Sequence, residues 1–511
     1  MLRKIRLIGA AICFIFITIL FLDFTGTLHA WFGWLAKIQF LPAVLALNIG
    51  VILFLIILTL LFGRIYCSVI CPLGVFQDVI AWFGKRTKKR RKLPYTYSPA
   101  VSWLRYSVLA VFIIALIAGA GSLVALLAPY SSYGRIANNL FQPVWIWGNN
   151  LLAYFAGRAG SYAFYETEIW IKSLPTFIIA GVTFILIFIL AWRGGRTYCN
   201  TICPVGTVLG FISRYSLFRI TIDTEKCNGC SLCARNCKAA CIDAKQHKVD
   251  NSRCVACMDC IGKCKQDAIR YMPVWKVNKT SGKPVEATGT TGNTTNLSRR
   301  RALSATVLVA MASALNAQNR KKEEVVMKKD GGLEPIKDRK ESQRQTPIVP
   351  PGALGIKNMA NHCTACQLCI SICPSQILRP SAGLMTLMQP EMSYERGYCR
   401  PECTKCSEVC PSGAIHPISK ADKSATQIGH AVWIKEYCVP LTDDVDCNNC
   451  ERHCPTKAIQ MVPSVPEDTS SRKVPVINTE RCIGCGACEN LCPARPFSAI
   501  YVEGHERHRI I

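Results

Sequence analysis

The 511-residue sequence predicts an α-helical membrane bundle of four spans, with a candidate fifth, joined to two cysteine-rich α+β domains. Three observations carry that reading. Almost all long apolar runs lie before residue 193, 25 of the 30 cysteines lie after residue 226, and those cysteines recur at short fixed intervals. A chain this long exceeds what one core needs, so composition has to be read region by region. Dense cysteine in a small secreted chain would indicate a disulfide scaffold, but this chain is neither small nor irregular in its spacings.

Residues 1–215 hold four uncharged apolar runs, about Leu7–Leu22, Ala43–Phe62, Tyr106–Ala128 and Leu174–Trp192. About 20 apolar residues cross a bilayer, and one charge at mid-bilayer costs roughly 2.5–3.5 kcal/mol. Any one run could be the buried helix of a soluble domain; four together argue for a membrane. Arg3, Lys4 and Arg6, the basic run Lys85–Lys92, and Arg193, Arg196 and Arg214 flank one set of helix ends. The connection Pro129–Ser173 has only Arg135, Arg158 and Lys172, so it is expected outside a bacterial inner (cytoplasmic) membrane, with both ends of the four-helix unit in the cytoplasm. Between two spans, Lys85–Lys92 reads as topology and contact with anionic lipid, not as a nucleic-acid site. His29 is the only histidine near the spans, and C-x-x-C-H is absent. A di-haem quinol oxidase with histidine ligands inside its helices is thereby excluded.

The second span ends in G-R-I-Y-C-S-V-I-C-P, with Cys67 and Cys71, and the fourth in G-R-T-Y-C-N-T-I-C-P, with Cys199 and Cys203. These read as one internal repeat. Cysteines four apart share a helix face, so two such ends could offer four thiolates to a metal or Fe-S centre, or form two redox-active dithiols. The plain alternative is four small buried residues at helix ends. Cys13, alone in the first span, reads as packing.

Residues 216–275 contain C-x2-C-x2-C-x3-C twice, the run that holds 4Fe-4S clusters in bacterial ferredoxins. Because the fourth cysteine of each run ligates the other cluster, Cys227, Cys230, Cys233 and Cys264 form one expected set, and Cys254, Cys257, Cys260 and Cys237 the other. Lys238 and Lys265 stand where proline usually follows the fourth cysteine, and Cys241 is a ninth thiol, read as a free neighbour or as a substitute for Cys237. Residues 356–511 repeat the theme four times. The groups are Cys363, Cys366, Cys369 and Cys373; Cys399, Cys403, Cys406 and Cys410; Cys438, Cys447, Cys450 and Cys454; and Cys482, Cys485, Cys488 and Cys492. Wide first gaps put the roles of Cys399 and Cys438 in question, and spacing allows neighbouring or nested pairing of the groups. A structural zinc site would need far fewer thiols.

A Thr/Asn/Gly/Lys-rich linker, 276–297, leads to S-R-R-R-A-L-S-A at Ser298 and a mild apolar stretch ending at Ala317. Arginines before a weak apolar core resemble a twin-arginine export signal, and 298–319 is assigned to that signal or to a fifth span. An oxidising periplasm would convert sixteen free thiols to disulfides. Clusters would therefore be inserted in the cytoplasm and the C-terminal domain exported folded. Residues 320–355 read as a charged linker.

Residues 1 to about 275, on these motifs, resemble the NapH-type (MauN-like) membrane component of quinol dehydrogenases, related in plan to NosR-type and CcoG-type proteins. Residues 298–511 resemble NapG and MauM, exported four-cluster ferredoxins. The resemblance implies a NapH/NapG-like fusion with six 4Fe-4S clusters, two cytoplasmic and four periplasmic. It would pass electrons from the quinol pool to a periplasmic reductase or multihaem cytochrome. Such a chain is at most a quinol dehydrogenase component, an electron carrier and not a self-contained catalyst. The alternative is an assembly or regulatory factor for a respiratory metalloenzyme that uses the C-x3-C-P thiols. The C-x3-C-P pair and the first ferredoxin are expected on the same, cytoplasmic side, and nothing in the spans suggests a cofactor carrying electrons across the bilayer, so either diffusing quinol or a separate cytochrome is expected to bridge it. Six oxidised clusters at about −2 each would lower the formal charge of +27 to about +15.

Overall fold

The computed structural model describes residues 2–87, 95–161, 163–277, 340–468 and 471–511. The described residues up to Val274 and from Lys340 to Ile511 form one compact unit. The expected linker from 278, the export signal or fifth span at 298–319, and the charged linker up to 339 lie outside the described residues.

Two of the four expected spans are single helices, Leu2–Leu22 and Leu174–Gly194, each of 21 residues. At 1.5 Å per residue each reaches about 30 Å, the thickness of a bilayer core. The other two apolar runs are divided, which corrects the expectation of four unbroken spans. Run 43–62 becomes Phe40–Leu45 and Ile49–Phe62, because Leu47 is left-handed at φ 51° and Asn48 caps the next helix by accepting from Val51 N at 3.3 Å. Run 106–128 becomes Ser102–Ile117 and Gly121–Leu127, broken at Gly119 with φ 70°. Mean hydropathy over a window registers neither a cap nor a left-handed residue.

These helices keep large aliphatic side chains on the outside. Ile5, Ile8, Ile12 and Ile15 on the first, Leu53, Phe54 and Ile57 on Ile49–Phe62, and Ile178, Val182 and Ile185 on Leu174–Gly194 are all at least 43% exposed. Only 33% of the apolar window in the first helix and 22% in Leu174–Gly194 is buried. A core helix of a soluble domain would be mostly covered, whereas these helices could cross a membrane by length and composition.

The two cysteine-rich parts lie at opposite ends of the long helices. At the start of Leu2–Leu22, Arg3 Nε pairs with Asp259 Oδ1 at 2.8 Å. Past its end, Thr25 O accepts from Lys405 Nζ at 2.9 Å and Gly26 lies against Ile372. Leu174–Gly194 runs the other way. Before its start, the Trp170 ring lies under Arg396 and Arg379, at 4.2 and 5.1 Å, and after its end Arg196 N donates to Lys238 O at 2.8 Å.

Gly121–Leu127 and Pro129–Ile136 form a helical hairpin that dips into the bundle. Its tip, Leu127 O, accepts from Tyr198 OH at 3.3 Å, and its outer ends touch the C-terminal domain. A Cβ on Gly134 would collide with Cys366 O and lie 2.8 Å from the Phe21 ring. Gly134→Val is therefore expected to loosen the C-terminal domain from the bundle by about 1–3 kcal/mol, the usual cost of overpacking. Faster release of the 340–511 fragment in limited proteolysis would register it.

The first cysteine-rich domain pairs strand Phe218–Ile222 antiparallel with Ile269–Pro273, Ile222 opposite Ile269, and adds the short pair Ile242–Asp243 and Lys248–Val249. The C-terminal domain uses three such two-stranded pairs. They are Leu378–Pro380 with Pro390–Met392, Thr426–Trp433 with Ile500–Ile510, and Ile459–Pro463 with Lys473–Ile477. One apolar core runs from Ile17, Leu20 and Phe21 in the bundle through Tyr66 and Leu209 to Ile348, Ile428 and Val502 in the C-terminal domain.

Candidate metal centres

In four of the six cysteine groups the residues flanking the second cysteine have positive φ. They are Gly229 and Ser231, Ala256 and Met258, Ala365 and Gln367, and Gly484 and Gly486. Alternating hand turns successive N–H groups inward, a nest for an anion. The four-residue gap of Cys399–Cys403 lacks that winding.

The structure decides the partner of every fourth cysteine. Cys264 lines one cavity with Cys227, Cys230 and Cys233. Cys373 shares another with Cys399, Cys403 and Cys406, and Cys454 a third with Cys482, Cys485 and Cys488. Reciprocally, Cys410 lies in the electrostatic field of Cys363, Cys366 and Cys369, and Cys492 in that of Cys438 and Cys450, with Cys447 beside them. Cys237 joins Cys257 and Cys260, with Cys254 adjacent. Neighbouring groups thus exchange their fourth cysteines, and no nested pairing occurs. Cys399 and Cys438, in question from spacing, both fall within quartets. Among the described residues no three His, Cys, Asp or Glu side chains converge closely enough to chelate a single ion. The quartets frame a wider space, as a cubane requires.

Backbone amides reach the sulfurs. Ala365 N donates to Cys363 Sγ, Ile415 N to Cys410 Sγ, Ala458 N to Cys454 Sγ and Ala499 N to Cys492 Sγ, at 3.2–3.4 Å. Burial pushes the Cys366, Cys450 and Cys485 thiols up to about 12, and Cys399 to about 11. These thiols stay protonated near neutrality, so filling the sites must release protons.

Cys241, expected to be free, touches its neighbours. Its Sγ lies 3.5 Å from Cys237 Sγ, and its hydrogen bonds to Cys237 and Cys254 hold both those thiols below their usual range. Hydrogen bonds to cluster sulfurs favour the more negative, reduced state. Cys241→Ala is expected to leave iron content unchanged and lower one cluster's potential by roughly tens of millivolts, read by EPR redox titration. Lys238, unexpected after a fourth cysteine, has a docking role. Its Nζ pairs with Asp78 at 2.9 Å and Asp259 at 3.0 Å, tying this domain to the bundle.

The two C-x3-C-P motifs converge. Cys67, Cys71, Cys199 and Cys203 are 4–5% exposed and lie within one another's electrostatic reach. Each motif's arginine crosses to the other. Arg64 Nη2 lies 3.8 Å from Cys67 Sγ and donates to Cys199 O at 3.2 Å, while Arg196 Nη1 lies 3.9 Å from Cys199 Sγ and donates to Cys67 O at 2.6 Å. Gly74 and Gly206, three residues after the second cysteine of each motif, make room. A Cβ there would lie 2.7 Å from Arg196 Nη1 or 2.8 Å from Arg64 Nη2. Gln77 Nε2 approaches Cys199 Sγ at 3.4 Å, and Gly206 N donates to Cys203 Sγ at 3.3 Å. The Gly-Arg repeated ahead of both motifs and the C-P-x-G repeated after them are the sequence signal of this crossing, which cysteine spacing by itself does not show. Cys13 lies partly exposed on Leu2–Leu22.

Comparison with known proteins agrees with this arrangement. A family described as a 4Fe-4S binding domain matches residues 44–91 and 174–223, one piece for each C-x3-C-P motif, and a 4Fe-4S dicluster domain matches 445–495. Ferredoxin-type protein NapF of Escherichia coli K12 is 30% identical over 159 residues, 31% of this chain and 87% of NapF. The methylamine utilization ferredoxin-type protein MauM of Methylobacillus flagellatus is 30% identical over 152 residues, 29% of this chain and 64% of MauM. Ferredoxin-type protein NapG of E. coli K12 is 29% identical over 158 residues, 28% of this chain and 65% of NapG. No solved structure matches. With most of NapF covered at this identity and two 4Fe-4S families matched, the chain belongs to the ferredoxin-type family that includes NapF and is an iron–sulfur electron-transfer protein.

Proposed function

We propose that the protein is a membrane-anchored electron carrier with six 4Fe-4S clusters, two on the cytoplasmic side and four on the periplasmic side. It connects the quinol pool to a periplasmic reductase or multihaem cytochrome. One observation carries the reading: residues 218–273 and 340–511 dock at opposite ends of two 21-residue apolar helices. The docking surface for 340–511 includes the connection 129–173, whose scarcity of basic residues assigns it outside. Export of folded cargo by the segment at Ser298 would deliver that domain already filled.

The clusters, when bound, supply reversible one-electron storage. The chain's own residues would hold them through the six quartets, aim amides at their sulfurs and keep water from the buried ones. The assembly-factor alternative needs thiols that meet a partner, and the burial of the C-x3-C-P cysteines speaks against it. Anaerobically purified protein is expected to contain about 24 irons per chain in the six clusters. Iron near one two-cluster unit would reject the cluster count. Protease added to spheroplasts is expected to cut 340–511 and spare 218–273; the reverse pattern would reject the topology.

A further inference from the structure

We propose that the two C-x3-C-P motifs together build one iron–sulfur centre inside the bundle. That centre relays single electrons between the Cys237–Cys254–Cys257–Cys260 quartet and the Cys363–Cys366–Cys369–Cys410 quartet. The inference rests on the membrane-spanning, multi-cluster reading above and supplies the route across the bilayer that the spans by themselves do not suggest.

Charge gives the first argument. Arg64 is fully buried, and among the described ion pairs none involves it. Its polar partners are Asn200 Oδ1, Ser252 O, Cys199 O and Cys67 Sγ, and its Nε has no partner. Arg196, 1% exposed, shares Asp78 with Arg6 and Lys238 and leaves Nη2 unpartnered. A buried cation without an anion is strongly unfavourable. Four small residues that merely pack would leave Arg64 in that state. A tetrathiolate iron–sulfur centre, at about −2, supplies the missing anion. The family match divided between 44–91 and 174–223 accords with half a site in each piece.

Position gives the second. Toward the first domain, Arg64 Nη1 donates to Ser252 O at 3.2 Å, two residues before Cys254, and Asn200 Nδ2 donates to Ala239 O at 3.1 Å, two residues after Cys237. Toward the C-terminal domain, Tyr198, beside Cys199, donates to Leu127 O at the hairpin tip. Farther along the same segment, buried Asn139 Nδ2 donates to Gln367 Oε1 at 2.9 Å, next to Cys366. Covalent and hydrogen-bonded links thus run from one quartet past Cys67 and Cys199 to the other.

With the sites filled, the centre held by Cys67, Cys71, Cys199 and Cys203 would supply one-electron storage between the two quartets. Arg64 and Arg196, held against Cys67 and Cys199, would face its added negative charge, and the transfer would break no bond and take up no proton. The electrons originate from a two-electron quinol donor, which releases two protons, and end on the periplasmic acceptor.

The test uses the full chain in sealed liposomes with dithionite, a reductant confined to the outer face, and follows bleaching of visible absorbance. Wild type is expected to bleach completely. The Cys67→Ser/Cys199→Ser double variant is expected to lose about two to four irons and to bleach only the clusters facing the reductant, the remainder responding once detergent is added. Equal iron in the two proteins, or equally complete and fast bleaching, would overturn the relay. Partial bleaching of wild type that retains all its iron overturns the relay and spares the electron-carrier reading; iron for only one two-cluster unit overturns that reading instead. Should the double variant fail to fold, Arg64→Gln keeps the four thiols. It is expected to lower the potential of one EPR signal and slow crossing at least about tenfold, and an unchanged potential and rate would overturn the proposal.

Discussion

Asp78→Asn is expected to destabilise the folded chain by about 3–5 kcal/mol, the cost of removing one partner from a buried ion pair. Asp78 is the carboxylate on which three cations from three segments converge. Arg6 comes from the first helix, Arg196 (Nε to Oδ1, 2.6 Å) from the second C-x3-C-P motif, and Lys238 (2.9 Å) from the first cysteine-rich domain. The side chain is 10% exposed, so water cannot replace the lost charge, and Asp259 is left to face Lys238 and Arg3 alone. Thermal unfolding in detergent, followed by circular dichroism, should show the loss. The EPR signal of the cluster beside Lys238 should broaden or disappear first. Arg3→Gln, which removes only the 56% exposed partner of Asp259, serves as the milder control. Surface pairs of that kind contribute about 0–1 kcal/mol.

The exchange of fourth cysteines makes a second large prediction. Cys410→Ala is expected to empty the site of Cys363, Cys366 and Cys369, and Cys373→Ala the site of Cys399, Cys403 and Cys406, with about four irons lost in each case. Combining Cys410→Ala with Cys366→Ala, which share a site, should lose no more iron than either change alone. Combining it with Cys406→Ala should lose about eight. Non-additivity within a shared site and additivity between sites is the signature of the pairing. Were each group of four to hold its own cluster, the Cys410/Cys406 pair would behave as one site and the Cys410/Cys366 pair as two.

Much of the chemistry was legible because cluster ligation is local. Three thiols on one tight turn require C-x2-C-x2-C, and the left-handed residues around the second cysteine are where that turn has to wind. The apolar runs were legible as well, but their continuity was not. Asn48 and Gly119 interrupt two of them through a side-chain cap and a left-handed backbone, features that an average over 20 residues hides. Lys238 read as a departure from the ferredoxin pattern because its purpose is outside the domain. It faces Asp78, a residue of the bundle.

By itself the sequence determined the intervals at which cysteines recur, where the long apolar runs lie and where basic residues gather, since each follows from near neighbours along the chain. The tertiary structure alone decided which distant cysteine joins each quartet of the C-terminal domain. It alone decided that the cysteine-rich parts sit at opposite ends of the long helices. It also brought Arg196 to the carbonyl of Cys67, 129 positions away. Such contacts form only after helices have packed, and no local interval encodes them. The repeat left one four-thiol site and two dithiols both open, and only the folded chain brings the two motifs together.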